Sequence, residues 1–172
     1  MRNARNYGIS LGIIISALVL AANGYEVNLG VYVVSFDTPS QVTLVQPQSH
    51  DSGEFNGVPV DLYEQRIYWG SNGMTLTRYQ LYQGIDSPFI YTKKINILAE
   101  SGWPNNYENR GNHTTSKGIV DGRESKITIF DKNLTIAYFP IRTDIPEMLQ
   151  VRIDDTKENA QKLLNSLTVS QG

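Results

Sequence analysis

Two histidines, His50 and His113, are the side chains best suited to moving a proton near neutral pH, and both fall in polar stretches. His50 opens the run His50-Asp51-Ser52-Gly53-Glu54, which contains the residue types of a hydrolase triad or a metal pair. Triad members normally come from distant segments, and this run has no recognised spacing. No helical H-x-x-x-H pair exists, so a zinc hydrolase would lack its usual ligands. G-x-S-x-G, G-x-G-x-x-G and G-x-x-x-x-G-K-[ST] are also absent, which removes the serine elbow and the nucleotide fingerprints. A calcium loop over Asp51 to Gly57 would put Gly53 and Phe55 at ligand positions. The carboxylate pair Asp154-Asp155 is accounted for by helix capping. Without cysteine there is no disulfide, thiolate metal site, sulfur nucleophile or lipidated thiol. The expectation is no catalytic, cofactor-binding or metal-binding residue. A small extracytoplasmic hydrolase using His50 or His113 with a carboxylate stands as the alternative.

Aromatic side chains offer a different chemistry, that of contact. The chain has 10 tyrosines and 2 tryptophans, with Tyr63, Tyr68, Trp69, Tyr79 and Tyr82 around one central hairpin. Tyr63, Ile67 and Trp69 share a face by period two, and Tyr68 lies on the other. Such a row can stack sugar rings, form a protein interface, or pack across strands beneath a helix. Tyr68 and Trp69, with Trp103 and Tyr107 from an Asn-rich stretch, are therefore candidates for a ligand or partner surface. Its expected partner is a cell-envelope protein or a carbohydrate. Two sequons, Asn112-His113-Thr114 and Asn133-Leu134-Thr135, make Asn112 and Asn133 candidate glycosylation sites. With 17 acidic and 15 basic residues, nothing in the charge favours nucleic acid.

The first 24 residues read as an address. Arg2 and Arg5 precede an uncharged apolar stretch from Ile9 to Ala22, and Ala21-Ala22-Asn23-Gly24 supplies small residues for a signal peptidase. Cuts after Ala21 and after Gly24 both fit; the second is favoured because the mature chain then begins at Tyr25, just before a strand pattern. The competing reading is an uncleaved membrane anchor. As a helix the stretch from Ile9 to Ala22 rises only ~21 Å, against a hydrocarbon core of ~30 Å. Either reading exports residues 25–172 as one domain, reaching a membrane only through residues 9–24. Removing residues 1–24 takes away Arg2 and Arg5 and no acid, which doubles the acidic excess.

Strand patterns are expected at 25–36, 42–45 and 58–69, with a Gly70-Ser71-Asn72-Gly73 link to a strand at 74–82. Ser87-Pro88 and Gly102 bracket a helix, against which the β-formers at 89–99 argue for a strand. Residues 46–57 and 103–118 read as loops. Asp121-Gly122 and Asp131-Lys132-Asn133 are turns between strands, and Met148 to Ile153 is a further strand. Asp155 is the expected N-cap of a helix whose Ala160, Leu163, Leu164 and Leu167 form one apolar stripe. Together these predict an α+β fold: a single antiparallel β-sheet with a C-terminal amphipathic helix and one further helix packed on one face.

From Ile119 onward the elements are the Asp121-Gly122-Arg123-Glu124 turn, strands to Phe130 and around Ala137-Tyr138 and Val151-Arg152-Ile153, and the Leu163-Leu164-Asn165-Ser166-Leu167-Thr168-Val169 run. This portion resembles the small PsbP/Mog1-like α+β domains and related exported domains of cell-envelope proteins, especially those of methanogenic archaea. The resemblance covers about the last 50 residues, with an echo at Val31 to Asp37. It implies an exported α+β module and no catalytic residue. The expected function is an exported or membrane-tethered cell-surface domain, a non-catalytic binding or accessory module; an accessory subunit of a membrane complex is a further alternative.

Overall fold

Alternation of apolar and polar side chains, as in Tyr32–Thr38, builds strands with one buried face. A computed structural model describes residues 23–55, 58–81, 107–142 and 147–172. The strands are β1 (Asn23–Leu29), β2 (Tyr32–Thr38), β3 (Leu44–Val45), β4 (Ser49–Phe55), β5 (Val58–Trp69) and β6 (Asn72–Leu81). After a short 3₁₀ turn (Glu108–Arg110) come β7 (His113–Val120), β8 (Arg123–Phe130), β9 (Leu134–Arg142) and β10 (Glu147–Asp154). The helix α1 (Lys157–Ser166) and β11 (Thr168–Gln171) complete the order.

These strands form two antiparallel sheets, not one. The smaller has the order β1-β2-β11, and the larger runs β3-β5-β6-β10-β9-β8-β7, with β4 also paired to β5. The expectation of an α+β fold with a single sheet and two helices is thus overturned: the described residues are mostly β, and α1 is the one α-helix among them. The expected helix after Ser87 lies outside the described residues, as does Trp103. The cause of the error is local. Val27, Leu29, Val31 and Val33 keep an unbroken period of two, yet Gly30 adopts φ +68° and the chain reverses there, pairing Leu29 with Tyr32. Beyond the turn the buried set changes parity to Tyr32, Val34 and Phe36, leaving Val31 exposed at the tip.

Other boundaries moved for similar reasons. The link after Trp69 is two residues, Gly70-Ser71, with Gly70 at φ +65°; a left-handed first residue suits the twist of a tight hairpin. Asp121 and Gly122, at φ 50° and 69°, make the expected Asp-Gly turn. Residues 113–117 of β7 are exposed on both faces, so this strand carries no apolar rhythm and reads as loop. β4 is likewise polar.

The main core lies between the two sheets and α1. Leu29, Val34, Ile67, Leu76, Phe139 and Leu163 are all fully buried there. α1 is capped by Thr156, whose Oγ1 accepts from Asn159 N at 3.3 Å, one residue later than expected. Asp155 instead points inward and accepts from the Trp69 indole Nε1 at 2.8 Å, from Thr156 N and from Asn159 Nδ2. Each buried leucine of α1 contributes roughly 1.5–3 kcal/mol, so docking holds this ten-residue helix in place. A second cluster, Val60, Phe130, Leu134, Ile136, Tyr138 and Met148, occupies the opposite face of the large sheet.

One charged pair is enclosed between the sheets. Arg78 of β6 bonds Glu147 of β10 at 2.8 Å, and both side chains are about 95% buried. Tyr32 donates its hydroxyl to the same carboxylate from the small sheet. The guanidinium carbon of Arg78 lies 5.0 Å from the Tyr32 ring centroid and 4.7 Å from that of Tyr63, a double cation–π contact. Burial and the Glu147 carboxylate push the Tyr32 phenol up to about 12.

Candidate anion-binding cleft

Period two on β5 sends Ile67 and Trp69 into the main core and turns Arg66 and Tyr68 to the opposite face of the large sheet. Antiparallel register then assembles two rows. Arg66 faces Thr75 on β6, which faces Arg152 on β10; Tyr68 faces Gly73, which faces Asp154. Adjacent strands lie ~4.8 Å apart, so the backbones carrying Arg66 and Arg152 straddle Thr75 at roughly 10 Å. The flank is closed by two turns pinned to each other. Lys132 N donates to Arg110 O at 3.1 Å, and Arg110 Nη1 reaches Lys132 O at 3.3 Å. Together they enclose an open cleft of about 680 Å³, to which Ser71, Asn72 and Asn133 also contribute.

The cleft is electropositive in a chain that is acidic overall. Arg110 Nη2 meets Asp154 Oδ1 at 2.6 Å, and Arg152 Nη2 meets Oδ2 at 3.0 Å. Arg66 Nε donates to Glu64 Oε1 at 2.7 Å, and that bond raises the guanidinium pKa further. Lys132 also lines the cleft, so four cationic residues border it. All these pairs are partly exposed, so they add little to stability. Arg152 Nε is buried without a hydrogen-bond partner, and its guanidinium carbon lies 5.4 Å from the Tyr107 ring centroid.

Gly73 shapes the floor. A Cβ there would lie 2.7 Å from Ile67 O and 3.0 Å from Tyr68 Cδ1, so the Tyr68 ring extends across a strand position that only glycine leaves open. Guanidinium groups do not give up protons at accessible pH, and no nucleophile is paired with a base here. What this arrangement can do is hold an anion. No group of three or more His, Cys, Asp or Glu able to hold a metal occurs among the described residues.

No protein-family model, curated protein or solved structure matches the chain.

Of the expected contact residues, Tyr68 lines the cleft and Tyr107 packs against Arg152 and, at 5.7 Å, the Phe130 ring. Trp69 offers no surface: it is 2% exposed and bonded to Asp155. Asn133 sits on the cleft rim, at φ 50°, and shares a neighbouring hollow of about 320 Å³ with Asn112, His113 and Lys157. Both sequon asparagines are exposed.

His50 stacks on Tyr63 at 4.3 Å, with Nε2 3.6 Å from Asp61 Oδ1. Ser52 Oγ donates to that same oxygen at 2.5 Å. The β4–β5 register thus gathers Ser52, Asp61 and His50, but the serine proton points at the carboxylate and not at the imidazole, the reverse of an activated nucleophile. Arg66, Arg110, Lys132 and Arg152 escaped sequence reasoning. Arg66 and Arg152 do stand at polar positions of alternating strands, the one signal available, but nothing local pairs their strands through β6.

Proposed function

We propose that this chain is an exported, non-catalytic binding module whose ligand-contacting site is the basic cleft on the large sheet. The convergence of Arg66, Arg110, Lys132 and Arg152 on one open concavity carries the reading. Such a site concentrates an anionic ligand by field and fixes it by planar guanidinium donors. Titration with inorganic sulfate at constant ionic strength, followed by amide shifts in NMR, tests it. Shifts confined to Tyr68, Thr75, Arg110 and Arg152, abolished by Arg152→Gln, are expected. Shifts scattered over the surface, or unaffected by that substitution, would rule the site out.

Export rests on the N-terminal pattern of Arg2 and Arg5 before an apolar stretch. β1 begins at Asn23, so a cut after Ala21 leaves it whole, whereas a cut after Gly24 removes the residues paired with Thr38 and Asp37. The mass of the native protein distinguishes cleavage at either point from a retained anchor. Recovery of the intact chain in the cytosolic fraction ends the export reading.

A further inference from the structure

Resting on the anion-binding reading, we infer that the cleft takes a short chain of sugar rings bearing anionic groups, carboxylate or sulfate. A bare anion is too small for it: about 680 Å³ falls in the range that accommodates drug-sized ligands. The cations are also spread out. Arg66 and Arg152 stand two strands apart, roughly 10 Å across Thr75, so charges along an extended ligand meet them better than one compact ion does. Thr75 lies between them, and Ser71, Asn72 and Asn133 complete the lining with neutral donors and acceptors of the kind that ring hydroxyls need.

The aromatic element decides between a sugar and other polyanions. Tyr68 lies across Gly73 beside Asp154, where it offers a π face next to the charged groups. The C–H faces of a sugar ring carry slight positive charge and settle on such a face, with the hydroxyls left for the polar neighbours. A membrane surface would call for exposed apolar side chains instead, and the lining is polar apart from Tyr68, Gly73 and Met74. Asp154 already fills the fork between Arg110 and Arg152, the place a ligand carboxylate or sulfate would take. It is an internal stand-in for the ligand and limits affinity.

Calorimetry on the protein at fixed ionic strength tests this with trigalacturonate, a sulfated trisaccharide, neutral maltotriose and inorganic sulfate. Binding of either acidic sugar is expected, with maltotriose and inorganic sulfate each weaker by about tenfold or more; which acidic sugar binds identifies the anion. Tyr68→Ala, checked by the milder Tyr68→Leu, is expected to weaken the sugar about tenfold and to leave inorganic sulfate unchanged. Asp154→Asn is expected to tighten the sugar, a gain that loss of a merely structural ion pair would not produce. Inorganic sulfate binding as well as the sugars, with no effect of Tyr68→Ala, overturns the sugar inference while leaving anion binding intact. Association with phosphatidylglycerol vesicles without sugar binding overturns it too. Silence towards every probe removes both.

Discussion

The guanidinium of Arg78 lies directly against Gly30 across the gap between the sheets, so closely that a methyl group at residue 30 would overlap Nη1. Gly30 also holds φ +68°, which disfavours any side chain. Gly30→Ala is therefore expected to cost roughly 2–4 kcal/mol, the backbone penalty plus overpacking. Gly122→Ala is the internal control, because its φ of 69° is similar and nothing lies within 4 Å of the added carbon. That variant is expected to lose only about 1 kcal/mol. Urea unfolding of both isolates the steric contribution; equal losses would mean that Arg78 yields freely.

Breaking the enclosed pair should be worse than removing it. Arg78→Met takes away the guanidinium bonded to the buried Glu147 carboxylate at 2.8 Å, at an expected cost of about 3–5 kcal/mol. Arg78→Met combined with Glu147→Leu is expected to recover much of that loss, since two apolar side chains need no partner. A double variant as unstable as the single one would show that Tyr32 and the neighbouring polar groups depend on the charges themselves.

The same cluster sets an alkaline limit. Tyr32 holds its proton up to about 12, compared with 10.0 in an unfolded chain, so the folded state binds that proton more tightly. The resulting stability is complete below pH 10 and is lost as pH rises through about 12. Urea midpoints from about pH 9 to about pH 12 should fall more steeply for the native protein than for Tyr32→Phe. Burial raises Tyr79 in the same direction, so the variant sheds only part of the slope. Parallel curves would remove Tyr32 as a source.

Asp155 joins the helix to the large sheet through Trp69. Asp155→Ala orphans a buried indole N–H and two further donors, for an expected loss of about 2–4 kcal/mol. Thr156→Ala removes only the cap, about 1 kcal/mol. Thermal melting ranks the two, and a reversed order would put the helix's anchoring at its cap. Leu164→Asp, at a site 2% exposed, is expected to prevent folding.

Strands with one buried face were legible in the sequence because alternation is imposed by burial itself, as with Ile67 and Trp69 against Arg66 and Tyr68. The helix stripe of Ala160, Leu163 and Leu164 was legible for the same reason. Gly30 was not, because the period runs unbroken through the turn. Nor was β7, whose residues 113–117 bury nothing on either face. Tyr68 could be proposed as a contact residue from its type and face. Its charged neighbours could not, since Arg110 and Arg152 reach it only through the non-local pairing of β6 with β10 and of the Arg110 and Lys132 turns.

β2 is the middle strand of the small sheet, with β1 on one side and β11, residues 168–171, on the other. An emerging chain that has made β1 and β2 thus still lacks one wall of its first sheet until about 130 further residues have been delivered. Until then Val34 and Phe36 have neither α1 nor the closing strand to shelter them. Such late closure of a distant contact slows folding. It also keeps the chain threadable for longer, as the export proposed above would require.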